Sequence, residues 1–236
     1  NFLYSEFWIL YLNRERGNME LEIKRGENIE AQAYRIIKEM ILSKRLKPGE
    51  RIVQEKIARA IGISRTPIKK AITQLLKEHL IIERNGHLFV NSLDYSDLAS
   101  IYEIRAVLEG LAFRLATPEV TKEWGEYMKE LFIKSVDNKE KYYEVDIEFH
   151  TTIPKLAKHP ILLQVLDSFQ ILTISFSKGL IRSPKDTLPE HLDIIYTLLK
   201  RDEEKVEMLS REHIRKSVYV LREKAIKEGG DQREEM

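Results

Sequence analysis

The sequence predicts a mainly α-helical chain in two parts, an N-terminal winged helix-turn-helix followed by an all-α helical bundle. Three observations carry that prediction. Apolar residues recur at helical spacing over most of the chain from Ile29 onward. The strongest hairpin signal, Asn85-Gly86 between "IIER" and "HLFVN", directly follows two short helical stretches. Charge also divides the chain. Met19 to Asn91 holds 15 Lys and Arg against 9 Asp and Glu, whereas Ser92 to the end holds 22 against 27. A basic front and an acidic rear assign contact with a polyanion to the front alone.

With 236 residues, 43% hydrophobic and 33% charged, the chain belongs to the globular class and has room for two ordinary domains. Cysteine is absent, which excludes a disulfide framework and a thiolate metal site and fits a cytoplasmic location. The apolar run "FWILYL" near the start is too short to span a bilayer, so no membrane partner is expected. "RERGNM" reads like a translated ribosome-binding site running into a start codon. Residues 1–18 are therefore expected to be a non-native or disordered extension, with the chain proper starting at Met19. The expected boundaries are 19–92 for the winged helix-turn-helix, 93–228 for the bundle and 229–236 for a polar tail.

In the front part, "IEAQAYRIIKEMIL" (29–42) is a helix stopped by "KPGE". Ile57, Ala58 and Ile61 form one face of a second helix, and Gly62 supplies the turn. Ser64 is placed to cap a third helix, with Pro67 in its first turn, where a missing N–H costs little. Ile68, Ile72, Leu75 and Leu76 bury that helix against its predecessor. Its other face carries Arg65, Thr66, Lys69, Lys70 and Thr73. Arginine offers a bidentate fork to guanine, whereas threonine and lysine suit phosphate, so double-stranded DNA is the expected partner. Arg84 and Gly86, at the hairpin tip, are the expected wing contacts; His87 either joins them or merely closes the core.

"GISRTPIKKAITQLLKEHLI" resembles the winged-helix signature of the GntR transcription regulators, usually met as Ser-Arg-Thr-Pro-hydrophobic-Arg-Glu-Ala. Two departures matter. Lys69-Lys70 replaces Arg-Glu, which favours phosphate over bidentate base reading, and His79 stands where a helix-ending Gly is customary.

The rear part reads as six helices, over 96–116 and roughly 119–136, 139–157, 160–181, 187–200 and 202–228. Asp146 and His150 stand at i and i+4, with Cβ atoms about 6 Å apart on one face. His191 and His213 lie on two later helices beside apolar stripes. A carboxylate and three imidazoles suit Zn, Ni, Fe or Mn; the same histidines can equally be satisfied members of a core.

"IYEIRAVLEGLAFRLA", "DIEFHTTI", "HPILLQVL" and "PEHLDIIYTLLKRDEEKVEMLSREHI" resemble successive motifs of the FCD domain, the ligand-sensing half of the FadR-like branch of GntR regulators. The resemblance implies a divalent metal, Zn or Ni before Mn or Fe, held by Asp146, His150, His191 and His213. It further implies a small organic carboxylate effector that takes open metal positions and pairs with Arg105, although a salt bridge to Glu103 or Glu109 competes for that arginine. His159, in place of the family's common Asn before Pro, reads as a helix cap. The implied protein is a homodimer that reads a palindromic operator and is not an enzyme. Two alternatives stand beside it: a regulator whose metal is itself the signal or purely structural, and, more remotely, a metal-dependent hydrolase.

Overall fold

Capping and turn residues set where each element begins and ends in the computed structural model, which describes residues 28–176 and 180–234. The expected extension over 1–18 and the start at Met19 lie outside the described residues. The chain divides between Ser92 and Leu93 into two units. No helix of the described residues is long and apolar enough to cross a membrane.

In the first unit, helix α1 (Ile29–Leu42) is capped by Asn28, whose Oδ1 accepts from the amides of Glu30 and Ala31 at 2.9 and 3.2 Å. The "KPGE" stop is a tight turn with Pro48 at its first central position and Gly49 at φ 77, closed by Glu50 N–H donating to Lys47 O at 2.9 Å. Helix α2 (Gln54–Ile61) ends at Gly62, φ 78, and helix α3 (Arg65–Lys77) follows. Ser64 occupies the expected N-cap position, but its side chain makes no capping hydrogen bond, so the hydroxyl does not satisfy the first-turn amides. Strands β1 (Ile81–Arg84) and β2 (His87–Val90) pair antiparallel, with Arg84 opposite His87. Asn85 and Gly86 both have positive φ, 51 and 73, as a two-residue type I′ turn requires. Unforeseen in the sequence, residues 50–52 run along β2, with Ile52 N–H donating to Leu88 O at 2.8 Å and Val90 N–H to Glu50 O at 2.9 Å. Ile37, Ile68, Ile72, Leu75, Leu80 and Ile81 are buried at the centre of this unit; Leu76 is only half-buried.

The second unit opens with α4 (Tyr95–Ala116), whose capping box joins Asp94 and Asp97. After a 3-10 turn at Thr117–Glu119 come α5 (Lys122–Ser135), α6 (Lys139–Leu156), α7 (Pro160–Phe176), α8 (Pro184–Leu199) and α9 (Glu203–Glu234). The six expected helices are present. Ser183 caps α8 three residues earlier than the sequence suggested, because Pro184 opens that helix as its first residue instead of blocking it. Helix α9 continues through Gly229-Gly230, a pair that reads as a stop in sequence. His159 is a cap, its Nδ1 accepting from Leu162 N–H at 3.2 Å.

The core of this unit is aromatic. Phe113, Phe132, Phe149 and Tyr142 are fully buried, and Phe149 meets Phe113 and Phe132 edge-on at 5.3 and 5.5 Å. Each buried phenylalanine contributes roughly 1.5–3 kcal/mol. Helices α4 and α9 approach closely at Gly110, where a Cβ atom would lie 2.5 Å from the Arg211 side chain.

His79 ends α3 in the left-handed region at φ 55 with an exposed side chain, a conformation that costs a non-glycine residue. His79→Gly is expected to stabilise the protein by about 0.5–1 kcal/mol. An unchanged or lowered denaturant midpoint for the first unit would contradict that account.

Candidate metal centre and nucleic-acid interface

Helix α6 presents Asp146 and His150 one turn apart, α8 presents His191, and α9 presents His213. One ligand atom from each of the four lies within 4.8 Å of all the others. That spread slightly exceeds twice a Zn–N or Zn–O bond length, about 4.2 Å, so the side chains would close in by several tenths of an ångström to share one ion. The histidines are buried and Asp146 is half-buried.

Each imidazole is held by its other nitrogen. His150 Nδ1 lies 2.6 Å from Glu109 Oε2, and His213 Nδ1 lies 2.8 Å from Glu190 Oε2. His191 Nδ1 lies 2.9 Å from the Tyr142 hydroxyl, which also bonds Thr187 Oγ1 at 3.0 Å. A carboxylate only accepts, so His150 and His213 donate from Nδ1, which leaves Nε2 as the nitrogen that can ligate when the imidazole is neutral. His191 stacks on Phe132 at 4.2 Å, which fixes its ring plane.

His191 Nε2 is the informative atom. It lies 3.2 Å from Asp146 Oδ1, within ion-pair range, yet it is buried and makes no hydrogen bond of good geometry. A buried polar atom in that state costs about 1–3 kcal/mol unless something else engages it. The donor set of three nitrogens and one oxygen, with no sulfur, fits a divalent transition ion.

The shifts of His191, His213 and Asp146 agree with that fit, whereas that of His150 runs the other way. Burial pushes the His191 imidazole down to about 3, helped by the charge of His213. Burial likewise lowers His213 against the opposing pull of Glu190. For Asp146 burial acts upward, but contact with His191 and the three imidazoles outweigh it and hold the carboxyl well below its usual range. For His150 burial acts downward, and the Glu109 carboxylate outweighs it to raise the net value.

A cavity of about 60 Å³ adjoins Asp146, His150 and His213, with Tyr102, Arg105 and Arg182 also on its wall. That is room for roughly four to six water-sized groups. Arg105 lines it, but also donates from Nε to Glu109 Oε1 at 2.6 Å, which is the salt bridge that competed for it. Sequence reasoning missed Glu109, Glu190, Tyr142 and Arg182 as members of the site. Only Glu109 carried a signal, its i+4 spacing from Arg105.

In the first unit, Arg65, Thr66, Lys69, Lys70 and Thr73 are all exposed on α3, and Arg84 and Gly86 are exposed at the hairpin tip. Lys70 donates to Glu30 of α1, and Thr73 Oγ1 donates to Lys69 O at 2.9 Å. Arg51, which the sequence did not single out, is exposed beside the wing with its guanidinium 3.0 Å from His87 Nδ1.

Residues 29–89 match the family described as bacterial regulatory proteins, gntR family, and residues 100–216 match the FCD domain. The chain belongs to the GntR family. It is a DNA-binding transcription regulator with an FCD effector-binding domain. The Nta operon transcriptional regulator of Aminobacter aminovorans is 28% identical over 183 residues, 75% of this chain and 87% of that protein. The transcriptional repressor RspR of Escherichia coli is 23% identical over 210 residues, 83% of this chain and 90% of that protein. A 40% identical match to the regulator YdhC of Bacillus subtilis spans 94 residues, 39% of this chain and 42% of that protein. Among solved structures, E. coli McbR/YncC has a TM-score of 0.63 at 19% identity, covering 84% of this GntR regulator and 98% of that chain. A GntR regulator from Rhodococcus sp. RHA1 also scores 0.63, at 17% identity, covering 81% and 96%. These structural likenesses show the shared fold.

Proposed function

We propose that this regulator holds a divalent transition metal on Asp146, His150, His191 and His213 and senses a small organic carboxylate in the adjoining cavity. The observation that carries the reading is the buried, unbonded His191 Nε2 facing three other ligand atoms within 4.8 Å. Bound there, a Zn or Ni ion, or Mn or Fe, supplies positive charge to a carboxylate oxygen. Arg105 orients the other end of the effector, and the cavity volume restricts it to a small acid. The role is that of a regulator and not an enzyme, as the names of its relatives are.

A second reading has specific support. Arg105 and Arg182 already face Glu109 and Glu190, so both cavity arginines have internal carboxylate partners. In that reading the metal itself is the signal, or only a staple, and no organic acid is sensed. Elemental analysis of untagged, chelator-free protein is expected to give near-stoichiometric metal, lost in His191→Ala. Protein that stays empty when offered Zn, Ni or Mn sinks both readings. If chelation alone changes DNA affinity and no carboxylate does, the second replaces the first.

On the DNA side, Arg65 is assigned to base edges in the major groove, while Thr66, Lys69, Lys70 and Thr73 are assigned to phosphates. Arg84 and Gly86 approach the duplex at the wing. The uncapped first turn of α3 adds open amides at the end that carries Arg65. Arg65→Ala is expected to cost about 1–3 kcal/mol on a selected duplex and to relax its specificity. Lys69→Ala weakens selected and random duplexes alike and lowers the salt slope by about one. Identical losses for both variants on both duplexes, read by fluorescence anisotropy, would refute this division of labour.

The homodimer is assigned to α4 and α7. Ile104 and Val107 on α4, and Ile161 and Val165 on α7, are exposed around the buried cluster of Ala112, Leu162 and Leu166 that joins these helices. Two copies pairing there, in the cytoplasm, would present two winged helices to a palindromic operator. The double variant Val107→Asp/Ile161→Asp is expected to halve the mass measured by light scattering. A dimer that survives both charges places the interface elsewhere.

A further inference from the structure

The two arginines on the cavity wall, Arg105 and Arg182, stand in parallel arrangements. Arg105 grips Glu109, which holds His150; Arg182 grips Glu190, which holds His213. The second arrangement is the more elaborate. Arg182 donates to Glu190 from both terminal nitrogens, at 2.7 and 2.6 Å, and donates again to the His213 carbonyl at 3.2 Å. Lys216 Nζ adds a fourth bond to the same carboxylate at 2.9 Å. Glu190 precedes His191 in the chain, but the helix turns neighbouring residues about 100° apart, and its carboxylate serves the histidine of a different helix.

We propose that Glu190 is a positioning residue for His213 in the candidate metal centre, and that Arg182 ties this support to the effector cavity. The inference rests on the metal reading above. An imidazole that donates Nδ1–H to an ionised carboxylate has a fixed tautomer, a fixed ring plane and a more basic Nε2. Arg182 and Lys216 keep that carboxylate ionised and in one orientation. Arg182 also lines the cavity, so an anion bound there competes with Glu190 for the same guanidinium. Metal affinity and cavity occupancy are thereby linked, each altering the other by the same factor.

Glu190 is the testable member of the pair, because its side chain retains 17% exposure whereas Glu109 is fully buried. Zinc affinity of the full chain would be measured by competition with a chromophoric chelator, together with the visible spectrum of cobalt-loaded protein. Glu190→Gln is expected to weaken zinc binding by about 10–100-fold and to shift the cobalt spectrum. Glu190→Asp, which restores the charge, recovers part of the loss. A Glu190→Gln protein with lower thermal stability but wild-type zinc affinity and cobalt spectrum would overturn the proposal and leave Glu190 a structural ion pair. Wild-type protein that binds neither ion would overturn the metal reading itself, and the proposal with it.

Discussion

Three imidazoles and three carboxylates share the interior of the second unit, and this burden governs how the surrounding helices are built. An unpaired ion in such a place costs several kcal/mol, so each member needs a partner on another element. Glu109 of α4 reaches His150 of α6, Glu190 of α8 reaches His213 of α9, and Tyr142 of α6 reaches His191 of α8. The Glu109–His150 pair crosses between two helices that the aromatic core also joins, whereas the other two pairs tie α8 and α9 into the cluster. Phe132 and Phe149 pack against His191, placing one wall of hydrocarbon behind the polar cluster. Apolar packing fixes the helices, and the paired charges fix the rings within them.

Much of the architecture was legible because it depends on local rules. The His159 cap, the Pro48-Gly49 turn and the Asn85-Gly86 hairpin all act within four residues, whereas the caps at Asn28, Asp94 and Ser183 emerged only with the fold. The four convergent residues were legible for a different reason. Asp146 and His150 have helical spacing, but His191 and His213 could be joined to them only through likeness to a known domain. The supporting shell was not legible. Nothing in the sequence ties Glu190 to His213 or Tyr142 to His191, since those pairings exist only once three helices have packed. The segment 50–52 was missed similarly, because a short strand added to a hairpin edge has no period of its own to reveal it.

The face of α3 shows how far composition can mislead about exposed charge. Lys69 and Lys70 are adjacent and both exposed, yet Lys70 faces Glu30 of α1 while Lys69 has its backbone carbonyl engaged by Thr73. An exposed ion pair of this kind is worth little in water and gives way readily to a polyanion. The basic surplus of the front part is thus partly stored in contacts that a phosphate can replace.

Gly110 touches neither a candidate ligand nor the cavity, but it sets the distance between two helices that matter to both. Helix α4 carries Arg105 and Glu109, α9 carries His213, and a single methyl group at position 110 would collide with Arg211 between them. Relieving that collision requires either a displaced arginine or a wider gap between the helices. The position is therefore a spacer. What matters there is what the residue lacks, and a survey of tolerated substitutions would find the position constrained although it offers no group to the site.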